Sequence, residues 1–266
     1  MNLTNLRAFL DVLRREGELV EVVAPVDPHL EIAEVHRRVI AAGGPALLFR
    51  HPTGSDFPVV TNLFGTARRV ELAFGRRPVE FVKTVARAAM ELLPPVPSKL
   101  WEFRSLASSG ARVGLRTSAD GPVTACLTTS PDLTRLPALT SSPDDGGPFL
   151  TLPLVYTEHP GPDGHGHNLG MYRMQIYDRT TTGMHWQIGK GGGFHHAAAE
   201  RAGRDLPVTA FLGGPPAMIL AAIAPLPENL PELLLASLLQ GSRLARSTDP
   251  YGGHPLISEA EFALAG

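Results

Sequence analysis

Cysteine is nearly absent from this chain. Cys126 stands alone among 266 residues, so no intrachain disulfide can form, and no partner motif around it marks a nucleophile. Its expected place is that of a small buried hydrophobe in a strand. Long apolar runs are missing too. No stretch approaches the roughly 20 apolar residues of a membrane helix, and Met1 to Leu13 is interrupted by Arg7 and Asp11, which leaves no apolar signal core. Nor is there a block of Lys or Arg. The 24 basic and 26 acidic residues are mixed along the chain, and nothing in their order would track a nucleic-acid backbone. These absences predict a cytoplasmic protein with no membrane span and no nucleic-acid partner. Disorder is excluded as well, because 43 % apolar and 19 % charged residues suit a packed core.

At 266 residues the chain exceeds the usual single-domain size, which favours two domains. Leu6, Phe9, Leu10 and Leu13 recur at helical spacing, with Gly17 as the stop. Leu19 to Val23 reads as strand. Asp27-Pro28 supplies an N-cap followed by proline at the first helical position, predicting a helix to Gly43-Gly44. Ala46 to Phe49 and Val59 to Leu63 read as short buried strands. A further helix is expected from Pro78 to Leu93, ended by Pro94, Pro95 and Pro97, which places a domain boundary near residue 100. Beyond it come short β-prone pieces: Val123 to Leu127, Phe149 to Thr157, Met171 to Asp178, Met184 to Ile188 and Val208 to Leu212. Phe194 to Ala202 and Pro215 to Ala224 read as helices. The fold class expected is α/β (α+β), an N-terminal α/β domain over 1–100 followed by a barrel or sandwich over 101–266.

The segment from His165 to His196, HGHNLGMYRMQIYDRTTTGMHWQIGKGGGFHH, concentrates the unusual chemistry. It reads as a β-hairpin around the polar turn Asp178 to Gly183, whose arms would bring Asn168, Arg173 and His185 near one another. An Asn carbonyl and an imidazole suit an Mn²⁺-like ion, and Arg173 suits a bidentate carboxylate pair. His165, His167, His195 and His196 lack metal-site spacing and read as solvated or structural. The glycine run Gly189 to Gly193 reads either as a phosphate cradle ahead of a helix or as a flexible turn. It is not a P-loop, and no GxSxG elbow occurs. Asp144 and Asp145, before Gly146 and Gly147, read as a turn. By composition Glu228 and Glu232 are surface carboxylates.

Taken together, these segments resemble the UbiD family of prenylated-FMN-dependent decarboxylases. The resemblance rests on LRAFLDVLRREGELVEV, VDPHLEIAEVHRRVIAAGGPALLF, TNLFGTARRV, PDLTRLPALTSSPDDGGPFLTLPLVYTEHP, NLGMYRMQIYDRTTTGMHWQIGKGG and LPVTAFLGGPPAMILAAIAPLP, in that order. It implies a central split barrel of flavin-reductase type. It also implies prenylated FMN supplied by a flavin prenyltransferase, Mn²⁺ or a similar divalent ion, and K⁺ as a further ion. The family's metal ligands fall on Asn168, His185 and Glu232. Arg173 would contact the cofactor and lie beside the substrate carboxylate, and Leu169, Gly170, Met171, Tyr172 and Met184 would line the flavin. The substrate implied is a small α,β-unsaturated or aromatic carboxylic acid. Family members carry their catalytic acids on a P-E-G-P-[FY]-G-[ED] loop, which these 266 residues do not contain. The V-E-x-V-K-C segment is replaced by RLARST, Arg243 to Thr248. The expectation is a carboxy-lyase component completed by a complementary UbiD-like polypeptide or a homo-oligomer. The alternative is a non-catalytic flavin-nucleotide-binding or structural protein.

Overall fold

The computed structural model describes residues 3–75, 78, 113–161, 166–187, 189–224, 226, 231–250 and 253–266. The expected helix over 78–93 and the boundary near residue 100 lie outside the described residues, apart from Pro78.

The N-terminal part opens with α1 (Leu6–Arg15), whose first turn is capped by the Asn5 side chain accepting the Ala8 N–H. Phe9, Val12 and Leu13 are its buried stripe, and Gly17 beyond it has positive φ. The chain continues as β1 (Leu19–Val22), α2 (Glu31–Ala41), β2 (Ala46–Phe49), β3 (Val59–Thr61) and α3 (Ala67–Phe74). β1 and β2 pair in parallel through the α2 crossover, and β3 adds antiparallel to β2. β2 is buried on both faces: Ala46 packs in the cluster of Phe9 and Leu13, while Leu47 and Phe49 pack with Ile32 of α2.

Two local features depart from the sequence pattern. α2 starts at Glu31, because Asp27 uses its carboxylate to accept the His29 N–H in a turn and Leu30 then takes φ +67°. α3 has no counterpart among the expected elements, although Thr66 caps it by accepting the Arg69 N–H.

The second part centres on one four-stranded antiparallel sheet. It is built from β6 (Leu154–Glu158), β7 (His167–Met171), β10 (Thr209–Leu212) and β13 (Phe262–Ala265), ordered β13-β10-β6-β7. Side chains alternate across it. Leu154, Tyr156, Leu169 and Phe211 face a cluster completed by α5 (Pro216–Ile223) and α6 (Glu232–Gln240), whereas Val155 and Ala210 face one holding Tyr172, Met174 and Ile176. A hairpin of β8 (Met174–Ile176) and β9 (Thr182–Met184) pairs with β5 (Phe149–Leu150). β4 (Leu115–Thr117), β11 (Leu244–Ser247) and β12 (Leu256–Ile257) form the last sheet, and α4 (Gly191–Arg201) lies against β6 and β7.

Among the described residues the strands therefore make four sheets and no closed barrel. The expected strand over 149–157 is split in two around Pro153, which cannot donate to a ladder. The expected strand over 171–178 breaks at Tyr172 and Arg173, between β7 and β8. Val123 to Leu127 is not a strand: Pro122–Thr124 forms a 3-10 turn and Cys126 is exposed, not buried. The two parts are joined by polar contacts. Asn5 Nδ2 donates to Glu259 at 2.9 Å, Arg7 pairs with Glu261, and Ser55 donates to the Arg135 carbonyl. Among the described residues no helix is long and apolar enough to cross a membrane.

Candidate functional site

β7 is an edge strand, so its outward backbone groups need partners from elsewhere. The Leu169 N–H finds one in Glu232 Oε2, 3.1 Å away across 63 residues of sequence. Glu232 opens α6, where the helix N-terminus favours negative charge. It is half-buried rather than the surface carboxylate its composition suggested. Burial pushes its pKa up, against its own backbone N–H and that of Leu169, which hold it down.

Beside it, Asn168 is 9 % exposed and pairs across the ladder with the fully buried Thr157. Asn168 Oδ1 fills the space that a side chain at Gly191 would need. Its Nδ2 is buried and reaches no acceptor at hydrogen-bonding geometry. Burial raises the pKa of the neighbouring Tyr172 phenol; the Gly192 N–H and the Asn168 amide pull it down, and the charge of Glu232 acts in the same direction as burial. The Tyr172 hydroxyl accepts the Gly192 N–H at 3.0 Å, and its ring packs 4.9 Å from that of Trp186. The glycine run is thus the first turn of a helix laid against Asn168 and Tyr172.

Arg173 lies at the surface. Its guanidinium stacks 4.0 Å above the Phe149 ring and touches Asp145 Oδ1 at 3.3 Å. Asp145 is fixed in turn by the Ser141 and Ser142 N–H groups, the first of which contributes most to its lowered pKa. The hairpin does bring Arg173 and His185 together, since the His185 N–H donates to the Arg173 carbonyl at 3.2 Å. Asn168 stands in the other sheet and is linked to them through Tyr172 and Trp186. The His185 imidazole is exposed. Among the described residues no group of three or more His, Cys, Asp or Glu side chains is placed to hold a metal ion.

Residues 116–266 match the 3-octaprenyl-4-hydroxybenzoate carboxy-lyase Rift-related domain of UbiD, and residues 10–89 match the N-terminal domain of the same carboxy-lyase. The chain belongs to the UbiD family. An uncharacterized protein of Chlamydia trachomatis serovar D is 50 % identical over 264 residues, covering 98 % of this chain and 45 % of its own length. A Chlamydia pneumoniae protein named as one of the subunits of 4-hydroxybenzoate decarboxylase is 47 % identical over 98 % of this chain and 44 % of its own length. Among solved structures, the UbiD-class enzyme HmfF of Pelotomaculum thermopropionicum in complex with FMN superposes with a TM-score of 0.78 at 27 % identity, over 98 % of this chain and 54 % of that one. An evolved dimeric form of HmfF with prFMN gives 0.75 at 28 % identity, over 99 % of this chain and 57 % of that one. The chain thus spans about half the length of the UbiD relatives it matches.

The UbiD site residues expected from sequence fall into three groups. Asn168, Leu169 and Tyr172 meet Glu232 at one place; Arg173 and His185 meet at a second, through backbone and hairpin; Met184 pairs with Met174 at the hairpin base. Gly170 is required sterically, because any side chain there would run into the Tyr172 ring. Sequence reasoning assigns no role to Asp145 as the partner of Arg173 or to Gly192 as the partner of Tyr172. Their signal, Asp and Gly clusters flanking the hairpin, is indistinguishable from ordinary turn chemistry.

Proposed function

We propose that this chain is the cofactor-binding part of a UbiD-class (de)carboxylase that acts on an α,β-unsaturated or aromatic carboxylic acid, with prenylated FMN and a divalent cation such as Mn²⁺. The observation that carries this reading is the half-buried Glu232 carboxylate seated on the Leu169 N–H beside the buried, unsatisfied Asn168 amide. A carboxylate whose ionised form is disfavoured by burial, next to an amide oxygen, fits a hard cation that would supply the missing positive charge. Asn168, Glu232 and His185 would hold the ion, with His185 bringing an imidazole from the surface. HmfF, bound to FMN in one structure and prFMN in another, lends support from a relative.

When bound, the prenylated flavin supplies the electron sink for exchange of CO₂. The chain's own residues do the positioning. Arg173, stacked on Phe149 and held by one contact to Asp145, presents a guanidinium to a substrate carboxylate. Leu169, Gly170, Met171, Tyr172 and Met184 would line the flavin, and the packed residues behind Tyr172 exclude water. The proton needed after loss of CO₂ comes, in this reading, from a carboxylic acid outside these 266 residues. The rest of the pocket would come from the part of the family's length that these residues do not span, and the assembly proposed is one with a complementary UbiD-like polypeptide or a homo-oligomer; the Chlamydia pneumoniae relative is, by its name, a decarboxylase subunit. We also read residues 1–100 and 101–266 as two domains, in keeping with family matches over 10–89 and 116–266.

The test is to co-express the chain with a flavin prenyltransferase and to measure bound flavin by mass spectrometry and metal by elemental analysis. Near-stoichiometric prenylated FMN with Mn²⁺, both lost in Glu232→Ala, is the expected result. Folded protein with neither flavin nor metal would end this reading. The exposed His185 ring favours a second one, a flavin-nucleotide-binding protein without turnover, which predicts bound flavin and no carboxylate exchange after the remaining half of a relative is added.

A further inference from the structure

An Asn side chain can ligate a cation only through its oxygen, yet its amide can sit in two nearly isosteric rotations. Something must select between them at Asn168, and the protein places a buried phenol beside that amide. Tyr172 is 3 % exposed, accepts the Gly192 N–H at 3.0 Å, and has its ring pressed over Gly170 and against Trp186. Gly192 admits no side chain, since a methyl group there would meet both Trp186 and the Tyr172 hydroxyl, and Gly191 admits none because Asn168 Oδ1 fills the place. Three glycines, two of them on α4 and one on β7, thus make room for one phenol and one amide.

We propose that the Tyr172 hydroxyl is the positioning group of this site, pinning the start of α4 to β7 and facing Asn168 Nδ2, so that Asn168 Oδ1 is left turned toward the cation. This rests on the cofactor and metal reading above. The phenol oxygen accepts the Gly192 N–H and keeps a lone pair for a second donor, Nδ2, while the space left open at Gly191 takes the amide oxygen. Reversing the amide would aim its donor at the cation and its oxygen at the phenol oxygen. Tyr172 thereby acts through Asn168 and is not itself a ligand.

The experiment uses the full chain with FMN and Mn²⁺ as probes, together with amide hydrogen exchange and side-chain NMR of the unloaded protein. In the wild type, the Asn168 side-chain amide protons should show nuclear Overhauser contact with the Tyr172 ring; absence of that contact overturns the proposal without any variant. Tyr172→Phe keeps the ring. It is expected to raise exchange at Gly192 about tenfold with core protection unchanged, and to weaken Mn²⁺-dependent FMN binding about tenfold, the loss of roughly one hydrogen bond to a charged or well-oriented group. In an Asn168→Asp background, where the two carboxylate oxygens are equivalent and no rotation has to be chosen, Tyr172→Phe should weaken binding no further. Unchanged exchange at Gly192, or a loss of binding that is as large in the Asn168→Asp background as in the wild type, overturns the proposal. A wild type that binds no FMN with Mn²⁺ overturns instead the reading on which it rests.

Discussion

A methyl group at Gly191 would overlap Asn168 Oδ1, while the backbone there is already helical. Alanine gains up to about 1 kcal/mol of helix propensity over glycine, and overpacking costs about 1–3 kcal/mol. The two effects partly cancel in stability, but the overlap can be relieved only by displacing Asn168. Gly191→Ala is therefore expected to move the unfolding midpoint by only a few degrees, roughly 2–4 °C for each kcal/mol. Mn²⁺-dependent FMN binding should fall about tenfold, or about 1.4 kcal/mol. A titration that shows wild-type binding would remove Asn168 from the site. At this scale the residue types and spacing of Asn168, Arg173 and His185 are a weak signal by themselves, and it is the family resemblance that singles them out. Residue type and spacing do not mark Glu232 at all. What makes that carboxylate special is burial and a backbone partner 63 residues away on an edge strand, and neither is a local property. Only the family resemblance points to it.

Among the elements, β10 carries the most weight, because it lies between β13 and β6 and is lined on one face by helices α5 and α6. Phe211 on that strand is fully buried. Phe211→Ala should cost about 3–5 kcal/mol, a large share of the roughly 5–15 kcal/mol by which domains are stable. Urea unfolding would show it as a lowered midpoint with the slope retained, and a loss under about 1 kcal/mol would mean that the sheet is not the core of this part. α1, β2 and β10 are legible in the sequence because their apolar spacing and their burial agree, whereas β1 is read from its valines although Val20 is exposed. Val123 to Leu127 misleads, since its β-prone residues follow Pro122 into a 3-10 turn, and α6 escapes notice because its run Leu233 to Leu235 has no helical alternation to detect. α6 is apolar nearly all round because it is packed among α5, β7 and the β4-β11 pair, which no periodicity announces.

For the whole molecule, the balance of buried titrating groups sets how stability follows pH. Burial lowers the pKa values of His36, His167 and His195, the last also through the nearby charges of His159 and His167. The unfolded chain therefore takes up these protons first as pH falls below about 6.5, and the folded state loses stability in that window. Glu232 acts with the opposite sign. Its folded pKa is raised, so its contribution is fully present below the ordinary carboxylate range and is lost as pH rises through the raised value. Among the described residues, three histidines work against one carboxylate between about pH 4.5 and 6.5, and the carboxylates held low, such as Asp145 and Asp178, enter only below that range. Thermal unfolding from about pH 7.5 to about pH 5 should show a falling midpoint. Glu232→Gln removes the opposing contribution and should make that fall steeper, while leaving the midpoint at the higher pH above that of the wild type, because a neutral amide avoids the cost of burying charge. A slope unchanged by Glu232→Gln would show that the carboxylate is already charge-compensated in the protein as isolated, and metal analysis of the same sample would then be expected to find the cation bound.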